Sequence, residues 1–303
     1  MTTGNSPNPR AYFESRKMVD ERTPRISVVI PAFNEAHYIA DTLVSLARQD
    51  FDGEYEVIVI DNNSSDDTAA VAVAYGASVV FEADPGVCSA RQRGVELARG
   101  EIVVSTDADT TFDSGWLSRI DSVFALDSGC VAVAGPCRFV DGPWWALYTR
   151  ILFTLVYLVY RVTGRVLYAT ATNIAFRKTA WTGYDTRLTQ GGDELDLLRR
   201  LRERGKVVFR LDNPTFTSSR RLRVGLLYNI VVTFLLYYVL GYLLNRITRR
   251  KLLGTAPAFR HESCGGRSWL WRLAANGGAL LVALGVFGAG HVLTLTREFL
   301  WIR

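Results

Sequence analysis

The chain has 303 residues, 49% of them hydrophobic and 21% charged, with 35 Lys and Arg against 30 Asp and Glu. A mean hydropathy of +0.09 is high for an ordinary soluble enzyme and low for a bundle made only of membrane helices, so a globular domain joined to a few membrane segments is expected. The net charge of +5 comes with no basic stripe interleaved with aromatics, which argues against a nucleic-acid partner; beside apolar runs, the arginines suit anionic lipid head groups.

Residues 1–24 are polar and lack an apolar core, so they read as a flexible arm and not as a signal peptide. Residues 25–31 (RISVVIP) form an apolar, β-branched run ended by Pro31, the pattern of a buried strand. Residues 35–48 place Ile39, Leu43, Leu46 and Ala47 at helical spacing, and 55–61 (YEVIVID) form a second strand that ends in a carboxylate. Turn formers follow at 62–65, where Ser65 or Asp66 can cap the next helix. A third strand is predicted at 77–83, and a helix at 88–99 that Gly100 stops. A fourth strand, 101–106 (EIVVST), runs directly into Asp107-Ala108-Asp109. Strands and helices alternating with short loops predict an α/β fold: a mostly parallel sheet with helices on both faces. Ligands bind such sheets beyond the carboxyl ends of the strands, and Asn34, Glu35, Asp61, Asp107 and Asp109 all fall there.

Residues 144–163 (WWALYTRILFTLVYLVYRVT) are apolar and aromatic, interrupted by Arg150 and Arg161. They suit a helix lying in the membrane interface, where arginine can snorkel, or a buried core helix. Residues 193–204 form an amphipathic helix with acids first and bases last, followed by a short strand at 206–211. Two further apolar segments, 224–244 and 273–296, approach the roughly 20 residues needed to span a bilayer. The linker between them carries Arg246, Arg249, Arg250, Lys251, Arg260 and Arg267. Two crossings would put it outside, against the positive-inside tendency; alternatively 224–244 lies in the interface or re-enters, and only 273–296 crosses. The expected organisation is an arm (1–24), a catalytic domain (25–221) and a C-terminal membrane region (222–303). The four cysteines form no CxxC pair and join no histidine cluster, which fits a reduced, cytoplasmic setting without zinc.

Asp107 and Asp109, two carboxylates with one small residue between them at a strand end, can hold Mg²⁺ or Mn²⁺, although many surface turns share the spacing. Asp61 and Glu35 can accept from a nucleotide's base or ribose, although Asp61 can also merely cap the turn toward 62–66. Arg91 follows Gly86 and Ser89 near a helix start and can clamp a diphosphate, or lie on the surface. Asp193 and Glu194 follow Gly191 and Gly192; one of them can serve as general base, or both can cap the helix, and Asp196 lies further in. Arg220, Arg221 and Arg223 precede the first long apolar run and can hold phosphates or anchor the chain to a membrane. A Gly-x-Gly-x-x-Gly turn and a P-loop are both missing, which removes the dinucleotide oxidoreductase and P-loop kinase readings.

Four segments together resemble the family 2 glycosyltransferases of GT-A fold: SVVIPAFNEAHYI (27–39), EVIVIDNNSSDDT (56–68), GVCSARQRGVELARGEIVVSTDADT (86–110), and TNIAFRK (172–178) followed by GGDELDLLRRL (191–201). The resemblance implies a UDP- or GDP-linked sugar donor and an inverting displacement. It implies that Pro31, Glu35 and Asp61 hold the nucleotide, with Ala32, Asn34, Asn63, Arg91 and Ala108 lining the same site, and that Asp107 and Asp109 hold metal and diphosphate. Asn173, inside the fourth segment, joins Arg220 and Arg221 as a residue for acceptor or phosphate. The family's acidic pair is Glu-Asp; here it is Asp193-Glu194, so alignment makes Glu194 the base and residue type makes it Asp193. No Gln-x-x-Arg-Trp motif follows, which implies transfer of one sugar. The apolar C-terminal segments imply a membrane lipid acceptor, a polyprenyl phosphate or a glycolipid, with the domain on the cytoplasmic side of the cell membrane. A catalytically silent, nucleotide-sugar-binding membrane protein is the alternative.

Overall fold

Two uninterrupted β-branched runs make the centre of the sheet. Strand β1 (Ile26–Ala32) and strand β2 (Tyr55–Asp61) pair in parallel, from Ile26 opposite Tyr55 to Ala32 opposite Asp61. Ile26, Val28 and Ile30 enter the core on one face of the sheet, whereas Val29 enters the core on the other. All four are fully buried, and each such side chain contributes about 1.5–3 kcal/mol relative to exposure. The computed structural model of the chain describes residues 23–166, 168–186 and 193–220, all within one compact unit, Met1–Ala258.

Helix α1 (Ile39–Ala47), helix α2 (Thr68–Ala74), strand β3 (Ser78–Phe81), helix α3 (Val87–Leu97) and strand β4 (Ile102–Ser105) complete the first half. β3 extends the sheet beyond β2, and β4 flanks β1, both in parallel. α1 brings Ile39, Leu43, Leu46 and Ala47 to one core, and α3 brings Ala90 and Val95 to the other. The helix expected from residue 35 starts later, because Asn34 adopts a left-handed conformation (φ 54°) and the chain turns before Ile39. Gly100 does not stop α3, which ends before Ala98. It lets the chain press on β1: a Cβ there would lie 2.7 Å from the Ser27 backbone nitrogen.

Downstream come strand β5 (Thr110–Thr111), helix α4 (Trp116–Leu126), strands β6 (Cys130–Ala134) and β7 (Cys137–Phe139), helix α5 (Pro143–Thr163), strand β8 (Ile174–Arg177), helix α6 (Asp193–Arg202), and strands β9 (Lys206–Phe209) and β10 (Thr215–Thr217). The main sheet has the order β3-β2-β1-β4-β8-β6-β9, and a small one the order β5-β10-β7. The main sheet is therefore mixed: β8 is inserted between β4 and β6 and runs antiparallel to both. Its first residue, Ile174, lies opposite Ser105, the last of β4, so β8 starts at the edge where β4 ends. The strand expected to reach residue 211 stops at Phe209.

The apolar stretch expected over 144–163 is one helix, α5, preceded by Gly142 and closed by Gly164 in the left-handed region (φ 66°). One face packs on the domain: Phe153 and Thr149 are buried, and the rings of Phe153 and Tyr160 lie 6.3 and 6.4 Å from that of Phe209. The other face exposes Leu147, Ile151, Leu155, Leu158 and Val162, spaced three or four apart, with Tyr148 beside them. A fully buried core helix is thus excluded. Among the described residues this is the helix long and apolar enough, by length and composition, to cross a membrane. The segments 224–244 and 273–296, most of the N-terminal arm, Gly191, Gly192, Arg221 and Arg223 lie outside the described residues.

Candidate active site

β1, β2 and β4 are parallel neighbours, so their carboxyl ends form one edge. The β1–β4 pairing ends at Val29, whose carbonyl accepts from the Thr106 amide at 3.2 Å. Pro31, two residues on, faces the same side beyond the last residue of β4, so its missing N–H breaks no ladder there. Ala32 is buried, and its carbonyl accepts from the Asn62 amide at 2.8 Å.

The loops after β1 and β2 are stapled to each other. Asn34 Oδ1 accepts from the Ser65 amide at 2.7 Å, and the Asn34 amide donates to Ser64 Oγ at 2.9 Å. The Glu35 amide donates to Thr68 Oγ1 at 2.8 Å, and the Ala36 amide to Asp66 at 3.2 Å. Asp66, one of the expected caps, also accepts from the Thr68 amide at 3.1 Å, and its hydrogen bonds to Thr68 and Ala36 more than offset burial and hold its carboxyl below the usual range. Asn63 is left-handed (φ 65°) and reaches the carbonyls of Glu82 and Ala83 at 3.1 and 3.0 Å. Both left-handed positions are asparagines, the residue type that best tolerates this geometry after glycine.

Asp61 closes β2. Its side chain is buried, and its Oδ1 has no hydrogen-bond partner. A buried, unpaired carboxylate oxygen costs about 1–3 kcal/mol, so this atom suits a ligand that brings a donor. Asp107 accepts from Arg91 at 2.9 Å; that arginine is buried in α3, while Asp107 keeps a third of its surface open. The Ala108 carbonyl accepts from Thr42 Oγ1 at 2.8 Å, which pins the two aspartates to α1. Asp109 accepts from Thr217 Oγ1 of β10 at 3.2 Å and from Arg220 at 2.9 Å. Arg220 also forks onto Glu35, at 2.8 and 2.6 Å, and lies 4.7 Å from the centre of the Tyr38 ring. Burial works to lower the Arg220 pKa; the hydrogen bonds it donates to Glu35 and the charges of Asp109 and Glu35 outweigh it, so the guanidinium is held firmly protonated.

Glu35, Asp61, Asp107 and Asp109 therefore share an edge with Arg91 and Arg220. The oxygen donors of Asp107 and Asp109 fit a hard divalent cation. Among the described residues no group of three or more His, Cys, Asp or Glu side chains assembles, so a cation there would complete its shell with diphosphate and water oxygens.

Asn173 sits elsewhere. It is buried; its Nδ2 donates to the carbonyls of Pro136 and Asn213 at 3.0 and 2.8 Å, and its Oδ1 accepts from Trp116 Nε1 at 3.1 Å. With its amide so committed, Asn173 joins β6, β8 and α4, and the acceptor or phosphate role expected of it finds no support in this geometry. Asp193 and Glu194 open α6 as expected, whereas Asp196 pairs along the helix with Arg200 at 2.8 Å. Sequence reasoning missed Tyr38, Thr217 and Asn62. Asn62 ties β2 to the start of α3 through the Gly86 amide at 2.7 Å and the Glu82 and Asp84 carbonyls at 3.0 and 2.7 Å. The doublet Asn62-Asn63 was its only signal.

Residues 27–183 match the family model described as Glycosyl transferase family 2. An uncharacterized glycosyltransferase of Mycobacterium tuberculosis is 39% identical over 126 residues, which are 42% of this chain and 55% of that protein. The undecaprenyl-phosphate 4-deoxy-4-formamido-L-arabinose transferase of Sodalis glossinidius is 28% identical over 152 residues, 47% of this chain and 45% of that one. The chain thus spans about half the length of the curated relatives it matches. The structure of S. aureus TarS 1-349 in complex with UDP aligns over 74% of this chain and 72% of TarS, with a TM-score of 0.55 and 20% identity, a likeness of fold.

Proposed function

The chain belongs to glycosyl transferase family 2, and on that premise we propose that it is a glycosyltransferase that moves one sugar, with inversion, from a UDP- or GDP-linked donor to a membrane lipid acceptor with the help of Mg²⁺ or Mn²⁺. The observation that carries the site reading is the row of carboxylates on adjacent parallel strands, with the unpaired, buried Asp61 Oδ1 among them. In this reading Asp61 accepts from the nucleoside, and Asp107 and Asp109 hold the cation. The cation supplies positive charge to the diphosphate leaving group when bound. Arg91 keeps Asp107 in place from α3.

The acceptor oxygen attacks the anomeric carbon from the face opposite the diphosphate; the new C–O bond forms as the bond to the diphosphate oxygen breaks. A sugar hydroxyl must lose its proton, and Glu194 or Asp193 would take it. A polyprenyl phosphate is already ionised near neutral pH and needs cations to hold it, for which Arg221 stands beside the site in sequence. The lipid acceptor is supported by the Sodalis relative's substrate and by the exposed apolar face of α5. That face, with no acid in its helix and with Arg150 and Arg161 on it, suits the interface of an anionic membrane. We place the domain on the cytoplasmic side of the cell membrane, a reading supported by Cys130 and Cys137 being buried outside any disulfide.

The test uses the full chain in detergent with a panel of nucleotide sugars, Mn²⁺ or Mg²⁺, and polyprenyl phosphate or glycolipid. Transfer should require metal and lipid and vanish in Asp109→Ala. Replacing Asp193 and Glu194 together should lower transfer to a glycolipid roughly 10²–10⁴-fold and leave transfer to polyprenyl phosphate nearly intact. Turnover that persists in chelator, or that ignores both lipids, would remove the metal or the acceptor from the reading.

A further inference from the structure

One arginine bridges the ends of two strands in the donor site. Its guanidinium gives two parallel hydrogen bonds to Glu35, just after β1, and one nitrogen also reaches Asp109 Oδ2, just after β4, at 2.9 Å. Its third neighbour is the face of Tyr38 at 4.7 Å. The Arg220 side chain is only 12% exposed and its two carboxylate partners are buried almost as deeply, so the ion pairs are poorly screened. We propose that Arg220 is a cationic latch: it neutralises Glu35 and Asp109 while the site holds no divalent ion, and the ion has to displace it from Asp109 in order to bind. This rests on the metal reading given above.

The anchoring of the arm supports a side chain that swings on a fixed base. Asp141 accepts from Ser218 Oγ and from the Ser219 amide at 2.7 and 2.8 Å, and the Arg220 amide donates to Ser218 Oγ at 3.3 Å. The backbone is therefore held from the loop that precedes α5, and movement is left to the rotatable bonds of the arginine side chain. Glu35 and Tyr38 can keep the guanidinium docked after Asp109 is surrendered. Its freed N–H edge is then available to a diphosphate oxygen, which an arginine fork matches well. The two aspartates are guarded differently. Asp107 is held by Arg91, rooted in α3 and 4% exposed, whereas the guard on Asp109 comes from the chain beyond β10. Asp109 is thus the carboxylate whose availability can change.

The test is Mn²⁺ alone, without nucleotide, titrated into the purified full-length protein and followed by the electron paramagnetic resonance signal of the free ion. Arg220→Gln should bind Mn²⁺ about tenfold more tightly than the wild type, the size of an ordinary coupling between two ligands of one site. Arg220→Lys, which keeps the charge and loses the fork, should fall between them. Adding Asp109→Asn to Arg220→Gln should abolish the gain. Arg93→Gln, at an exposed arginine of α3, removes the same charge and should change nothing. A variant that melts like the wild type yet binds Mn²⁺ no more tightly would overturn the latch; if Arg220→Gln does not fold, Arg220→Lys decides by the same criterion. Should no protein bind Mn²⁺ while the nucleotide still binds by calorimetry, latch and metal both fail and nucleotide recognition stands.

Discussion

Asn173 shows how much a single buried amide can hold. It satisfies the Trp116 indole and two carbonyls in a space where Gly135 passes so closely that a Cβ would lie 2.4 Å from Asn173 Nδ2. Replacing it with alanine strands those three groups away from water. The expected loss is about 2–3 kcal/mol of stability, read from the urea midpoint, with donor affinity of the folded protein unchanged; a neutral result would mean the network is not structural. The candidate ligand-binding residues were legible where a motif put them at a strand end, as with Asp61, Asp107 and Asp109. Arg220 was legible only as a cation for a phosphate or for a membrane surface. Its partner Glu35 lies 185 residues away, and periodicity carries no information about a contact of that span.

At the scale of elements, α3 crosses β1 at Gly94, where a Cβ would lie 2.2 Å from Val29 Cγ1. Alanine is intrinsically better in a helix by about 1 kcal/mol, but a contact that short forces the helix off the sheet. Gly94→Ala should therefore destabilise by roughly 1–3 kcal/mol, and Val29→Ala in the same chain should recover part of it, so that a double-mutant cycle in urea shows a coupling above about 0.5 kcal/mol. Additive effects would mean that the two residues do not meet. β1, β2 and β4 were readable because apolar runs of that length, ended by polar residues, fix both strand and burial. The reversal of β8 was not: an apolar run such as IAFR reads the same whichever way it crosses the sheet. β5, two residues long, is defined only by the strand that pairs with it.

For the molecule as a whole, the exposed stripe of α5 is the surface by which a lipid-acting enzyme would meet its substrate's solvent. In a Cys264→Ser background, Ile151→Cys offers one accessible thiol. Cys88, Cys130 and Cys137 are buried, and burial pushes the Cys137 thiol up to about 12, so these three stay unlabelled under mild conditions. An environment-sensitive fluorophore at 151 should shift to the blue in anionic vesicles, and the same label at Val73→Cys, exposed on α2, should not. Equal behaviour at the two sites would remove α5 from the membrane contact. Composition foretold an apolar helix at 144–163 but not its two-sidedness, because residues packed on Phe209 and residues facing out are equally hydrophobic.

The mutual stapling of Asn34 with Ser64 and Ser65 has a thermodynamic consequence for every catalytic cycle. Those loops surrender their conformational freedom once, when the chain folds, and the rim of the proposed nucleotide pocket stands ready before a donor arrives. The entropy of ordering them is then absent from each binding event, which a pocket formed from loose loops would lose at every turnover.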